Sequence, residues 1–269
     1  MDPPKSAVMP GKDRAQVAQT ALAPDRRPHA YRVLRELVRT RHSERCAFDP
    51  QEAPARDDVD AILESARWAP TAHNMQNFEI VVVDTASTLD RLARVRGELS
   101  EEFLEENRAQ LAFSEEELAE RGTGLLATMF PPTWQSLGGT TEPDWTDRHS
   151  YLGTAIASSP VVLVVLYDPA RRAPGSERDF LGAMSLGCVM ENMWLTAESL
   201  GIGMQIMSVF ADPGVEGELR HILGVPERLR IAFACRIGYP AAAPGGYVRV
   251  RRLPATFTHW NTYGSARPR

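Results

Sequence analysis

Two arginines flank a hydroxyl within five residues at Arg41-His42-Ser43-Glu44-Arg45. Guanidinium groups offer planar donor forks that match phosphate oxygens, and a serine adds a neutral donor, so this cluster supports anion binding. The same residues at a helix end also complement the helix dipole as a solvated face, and both readings stand on these residues alone. A second polar segment, Ala69-Pro70-Thr71-Ala72-His73-Asn74-Met75-Gln76-Asn77-Phe78, sets amides and hydroxyls between a helix end and a strand. An asparagine carries a donor and an acceptor together, which suits the edge of a heteroaromatic ring. Asparagine and glutamine equally satisfy loop backbone, and that alternative stays open.

Other chemistries lack a local signature. Gly201-Ile202-Gly203 has no third glycine, because position 206 is Ile, so the dinucleotide fingerprint fails. No Walker A loop, His-Glu-x-x-His pair or Gly-x-Ser-x-Gly elbow is present. The six histidines are scattered, and the three cysteines, Cys46, Cys188 and Cys235, lie too far apart for metal spacing. Their odd number points to a reducing compartment, with the cytoplasm as the expectation. A net charge of -5 argues against nucleic-acid and membrane-surface partners. The longest strongly apolar run, Val161 to Leu166, makes a strand and cannot cross a bilayer.

The elements that position the two polar segments follow from periodicity. Residues 1–28 lack it and read as a mobile arm. Val33, Leu34, Leu37 and Val38 recur at helical spacing from His29 to Thr40, immediately before the arginine cluster. Asp57 or Asp58 is expected to cap a second helix with Val59, Ile62, Leu63 and Ala66 inward, ended by Ala69-Pro70. Phe78 to Val83 is nearly continuously apolar and predicts a buried strand. Residues 86–127 read as charged helices, one opened by a Ser114/Glu117 capping box. The stretch from Met129 to Asp147, with Trp134 and Trp145, reads either as a lid or as a self-packed excursion.

Beyond it come the strand Val161–Leu166, a helix from Phe180 to Leu200 that is apolar nearly all round, and a short segment from Met204 to Val209. Asp212-Pro213 opens a further helix to Leu223, and Arg230 to Ile237 is a strand. Arg249 and Arg251 alternate with Val248 and Val250, so a strand there would turn both one way; a charged edge is the competing reading. The whole predicts an α+β domain with a core sheet flanked by helices.

Taken together, the two polar segments resemble the flavin-dependent nitroreductase superfamily. Its members follow a first helix with Arg-Arg-Ser-x-Arg-x-Phe, and some two dozen residues later carry Ala-Pro-Ser-x-x-Asn-x-Gln-Pro-Trp. Here His42 replaces the second arginine and Phe48 falls one place late; Thr71, Asn77 and Phe78 stand for Ser, Pro and Trp. Asp179 to Ser208, Leu223-Gly224-Val225-Pro226 and Ile237-Gly238-Tyr239-Pro240 are similar to later family segments, in order.

The resemblance spans about residues 31–254. It implies a nitroreductase-like FMN-binding domain over 29–254 with a mainly antiparallel sheet, a variable lid-like insert at 95–150 and a tail at 255–269 packing on a partner subunit. It implies an intertwined homodimer with two FMN sites. Arg41, His42, Ser43 and Arg45 would take the phosphate and ribityl chain, with Arg249 or Arg251 as a late basic partner. Pro70, Thr71, Asn74 and Gln76 would approach the flavin from the other subunit, and the backbone at Met207 and Ser208 would face N5. The implied activity is ping-pong hydride transfer from NAD(P)H through flavin N5 to a nitroaromatic, quinone or similar acceptor. A dehalogenase or desaturase of the same fold and a non-catalytic FMN-binding or redox-sensing protein are the alternatives. No metal is implied.

Overall fold

The computed structural model describes residues 28–49, 51–95, 113–125, 151–241 and 249–268, with isolated positions 102, 105, 106 and 109. Residues 1–27 of the arm expected at 1–28, and the loop from Met129 to Asp147, lie outside the described residues. The chain divides into two compact units, Met1–Arg39 and Thr40–Arg269.

In the first unit the described part is nearly all of helix α1, His29–Thr40. Its apolar stripe forms as the periodicity predicts, yet no α1 residue is buried, and Val33, Leu34 and Val38 stand 44–53% exposed.

The second unit is built on four strands: β1 Glu79–Val83, β2 Val161–Tyr167, β3 Gly203–Met207 and β4 Arg230–Gly238. Their order is β1-β2-β4-β3, and all three pairings are antiparallel. β2 is central and covered on both faces, which explains why its sequence is apolar without alternation. A bulge between Val165 and Leu166 opposes Phe233 and Ile231, so Ala232 is the extra residue and the facing pattern survives the interruption.

Helices cover both faces. On one, Val162, Val164, Leu166 and Ala234 pack against α3 (Ala86–Ala93), α5 (Tyr151–Ala157), and α7 (Pro213–Leu223). On the other, Val161, Leu163, Val165, Phe233, Cys235 and Ile237 meet α2 (Arg56–Arg67) and α6 (Phe180–Ser199). Both cores rest on the alternation of one strand pair, so a one-residue slip of β2 would exchange them. The α+β expectation holds, with an antiparallel sheet between two helical layers.

Local chemistry accounts for most boundaries. Asp212 caps α7 through Gly214 N with Pro213 in the first turn. Ser114 and Glu117 form the expected capping box of α4, Glu115–Arg121, which ends on left-handed Gly122.

Several expectations fail. The cap of α2 falls on Ala55, because the chain enters extended from Pro54; Asp57 and Asp58 sit in the first turn and act on the dipole instead. Among the described residues β1 is an edge strand, paired only to β2, and Glu79 and Val82 are exposed where a buried strand was expected. α6 buries Val189, Met193, Trp194 and Ala197 toward its C-terminal half, whereas Phe180 and Met184 are 67% and 52% exposed. Residues 249–253 form no strand.

Candidate functional site

The segment after α1 runs extended across the end of the sheet. Glu44 N donates to Met204 O at 2.9 Å, Asp49 N to Tyr239 O at 2.8 Å, and Ala241 N to Ala47 O at 2.9 Å. Phe48, 1% exposed, bridges to Pro240. Close approach makes this crossing possible. A Cβ on Gly203 would stand 2.8 Å from Phe48 Cε1 and 2.9 Å from Glu44 Cγ; one on Gly238 would stand 2.7 Å from Phe48 Cγ. Real side chains avoid such distances, so both positions require glycine.

Extended backbone alternates its side chains. Ser43 and Arg45 line a cavity of about 120 Å³, while Glu44 between them is 1% exposed. The other principal lining side chains are Arg41, His42, Arg249 and Arg251, and no acid is among the described lining residues. Arg249 reaches back across the chain and donates to Thr40 O at 3.2 Å and Arg41 O at 2.7 Å. The late basic pair therefore meets the cluster without forming a strand.

Electrostatics hold the segment's shape. Burial pushes the Glu44 carboxyl up, but hydrogen bonds from His42 and Cys46 outweigh it and bring the pKa from 4.5 down to about 2. The bond to Glu44 raises His42 above its usual 6.5, against burial. His42 Nδ1 faces Thr40 O at 3.0 Å and Nε2 faces Glu44 Oε2 at 3.2 Å. Both partners only accept, so both contacts are hydrogen bonds together only when the ring is protonated, which is why they favour the imidazolium. His42 therefore lines the cavity while its donors point away from it.

Trp194 Nε1 donates to His42 O at 3.1 Å, and the Arg41 guanidinium stacks 4.3 Å over the same indole. Arg41 Nε is shut off from solvent with no hydrogen bond among the described residues; Glu191 Oε1 is 3.5 Å away. A cavity ringed by arginines, with no carboxylate among its described lining residues, has the chemistry of a phosphate site.

The family model for the nitroreductase family matches residues 38–239. The chain belongs to the nitroreductase family. Comparison with curated proteins finds no match. Solved structures that share the fold include an FMN-dependent nitroreductase from Clostridium difficile, 16% identical, with TM-score 0.54 over 84% of this chain and 98% of that one. A nitroreductase with bound FMN from Bacteroides fragilis is 24% identical, with TM-score 0.50 over 85% of this chain and 97% of that one. A third, from Parabacteroides distasonis, is provisionally named an NADH dehydrogenase/NAD(P)H nitroreductase; it is 16% identical, with TM-score 0.54 over 86% of this chain and 99% of that one. Family membership makes the chain an oxidoreductase.

Other nitroreductase-type positions lie away from the cavity. Pro70, Thr71, Asn74 and Gln76 do not line it. Their loop folds on itself: Gln76 N donates to Thr71 Oγ1 at 3.1 Å, Gln76 Nε2 to Asn74 Oδ1 at 3.2 Å, and Ala72 N to Ser185 Oγ at 2.9 Å. His73, Asn74 and Gln76 have φ of 51°, 52° and 45°, and all three are exposed. Asn77 does what a loop-satisfying amide does, bonding Asp168 O, Arg171 O and Asp168 N. The two readings of the polar loop thus divide between neighbours: Asn77 is structural, while Asn74 and Gln76 present their amides to solvent.

Met207 is buried and pairs with Ala234, and Ser208 is exposed at the end of edge strand β3. Arg236 was not anticipated. It is wholly buried in β4, and a charged residue inside the apolar run Ile231-Ala232-Phe233-Ala234-Cys235-Arg236-Ile237 was the available signal.

Proposed function

We propose that this chain is an FMN-dependent NAD(P)H oxidoreductase that works as a homodimer in the cytoplasm and passes hydride to a nitroaromatic, quinone or similar acceptor. The observation that carries the proposal is the cationic cavity, which joins residues 41–45 to 249–251 within a nitroreductase fold. Arg41, Ser43, Arg45, Arg249 and Arg251 would hold the phosphate. FMN when bound supplies the hydride chemistry, so the chain needs no nucleophile of its own. Donor and acceptor would take turns at one open face.

The remaining roles belong to the chain's own groups. Asn74 and Gln76, held by their mutual bond and by Thr71 beside Pro70, would offer amide donors and acceptors to a ring edge from the partner subunit. β3 is an edge strand among the described residues, so backbone N–H groups near Met207 and Ser208 would be the ones to face that ring. Exposed apolar side chains support dimerisation: Val33, Leu34 and Val38 on α1, Phe180 and Met184 on α6, and Leu253, Phe257, Trp260 and Tyr263 in the tail. Three free cysteines fit a reducing compartment.

The test is spectroscopic. Purified protein should carry or take up FMN, its flavin absorbance should bleach anaerobically with NADH or NADPH, and an acceptor panel should restore it. Protein that gains no flavin spectrum refutes the cofactor assignment. Bound FMN that neither nicotinamide reduces refutes the enzyme and leaves a flavin-binding protein.

A further inference from the structure

We infer that Arg236 is a positioning residue for phosphate recognition: from inside the sheet it sets the backbone on both sides of Arg45 and so aims that side chain into the cationic cavity. The inference rests on the reading of residues 41–45 as a phosphate grip.

Arg236 lies on β4, opposite Gln205 of β3 and Val162 of β2, and is 0% exposed. Among the described residues its guanidinium donates to the following acceptors. Nε donates to Gln205 Oε1 at 2.6 Å and Nη1 to Ser158 Oγ at 3.3 Å. Nη2 donates to Glu44 O at 3.1 Å and to Cys46 O at 2.6 Å. The plane also stacks 4.4 Å over Phe48, the residue wedged against Gly238.

The two Nη2 acceptors are the carbonyls either side of Arg45. Tying both to one nitrogen fixes the backbone there, and alternation then sends Glu44 inward and Arg45 to the cavity. Gln205 and Ser158 hold the fork in plane, so the clamp is braced on β3 and the end of α5. Only arginine can do this. A lysine has no planar fork and cannot serve both carbonyls, Gln205 and Ser158 together.

Replacing a buried charge by an apolar residue of similar volume is often neutral or stabilising for a fold, so the stability of a sheet alone does not call for an arginine. What the arginine does that such a residue could not is hold the two carbonyls of the loop.

A role in aiming Arg45 differs from a general structural role in what it does to two ligands. FMN carries the phosphate and riboflavin lacks it. Dissociation constants for both, from quenching of flavin fluorescence on titration with flavin-free protein, separate the cases. Wild-type protein should prefer FMN. Arg236→Lys should weaken FMN about tenfold or more, the scale of one charge-assisted hydrogen bond, and leave riboflavin within about twofold. In an Arg45→Ala background Arg236→Lys should no longer change FMN affinity.

Equal loss for both ligands, or an unchanged FMN constant, overturns the inference while the phosphate grip stands. Wild-type protein without preference for FMN overturns the grip and the inference together. Should Arg236→Lys fail to fold, Gln205→Leu decides: it takes the acceptor from Nε and leaves both Nη2 bonds in place, and a loss for FMN alone of about threefold supports the inference, whereas equal or no loss overturns it.

Discussion

Replacing Glu44 with glutamine removes one charge from a side chain that is 1% exposed and keeps its shape. In the native protein that carboxylate accepts from Cys46 N at 3.1 Å and from His42 Nε2 at 3.2 Å. Its fall from 4.5 to about 2 corresponds to about 3 kcal/mol of folding free energy, at about 1.4 kcal/mol for each pH unit. The sign follows from which state holds the proton. A depressed carboxyl stabilises the fold fully above 4.5, and the gain is lost as pH falls from there toward 2. His42 is raised, so its share is complete below 6.5 and disappears as pH rises through its folded value.

The gap between wild type and Glu44→Gln should thus be widest between about pH 4.5 and 6.5, at about 2–3 kcal/mol. It should be about 1 kcal/mol smaller at pH 3.5 and should narrow again on the alkaline side. Urea unfolding of flavin-free protein at fixed protomer concentration, at pH 3.5, 5.5 and 8.5, measures it. A gap that is the same at all three values would refute the imidazolium–carboxylate pair, and with it the account of how the 41–45 segment keeps its shape.

Two further outcomes test the site. Arg45→Ala should lower FMN affinity about 10- to 100-fold while circular dichroism stays native, because a charged hydrogen-bond donor is removed from a ligand whereas its bond to Ser43 O, at 3.4 Å, is a local one; undiminished affinity would return the cluster to an ordinary solvated helix end. Gly238→Ala should cost about 1–3 kcal/mol, since its new Cβ would stand 2.7 Å from Phe48 Cγ, and thermal unfolding should show the loss as a melting point lower by several degrees; an unchanged melting point would mean that the crossing segment can move aside.

What could be read from residues alone was what neighbours in the chain decide. β2 announced itself as an apolar run, α7 through Asp212-Pro213, and α4 through Ser114 and Glu117. Failures came where a partner distant in sequence decides. Phe78 to Val83 is apolar whether its strand is central or at an edge, and only the pairing order puts it at the edge. The stripe on α1 shows that a helix has an apolar side and says nothing of what covers it.

At the site, periodicity alone could not bring Arg249 to Thr40, 209 positions away in sequence; the family resemblance suggested that meeting. Arg236 was legible in principle as a charge inside an apolar strand. Its purpose was not, because the two carbonyls it holds lie 190 and 192 positions earlier.

The loop at 73–76 places three side chains of L-residues in left-handed backbone, at His73, Asn74 and Gln76. Glycine would adopt those angles more easily, by about 1 kcal/mol at each position. Random mutagenesis should therefore sort these positions in two ways. Screened only for soluble protein, a library would accumulate glycine there and lose valine, isoleucine and threonine; screened for turnover, it should keep amides at 74 and 76 despite the strain. The divergence between the two screens would measure, codon by codon, how much thermal stability the catalyst gives up to keep its amides in place.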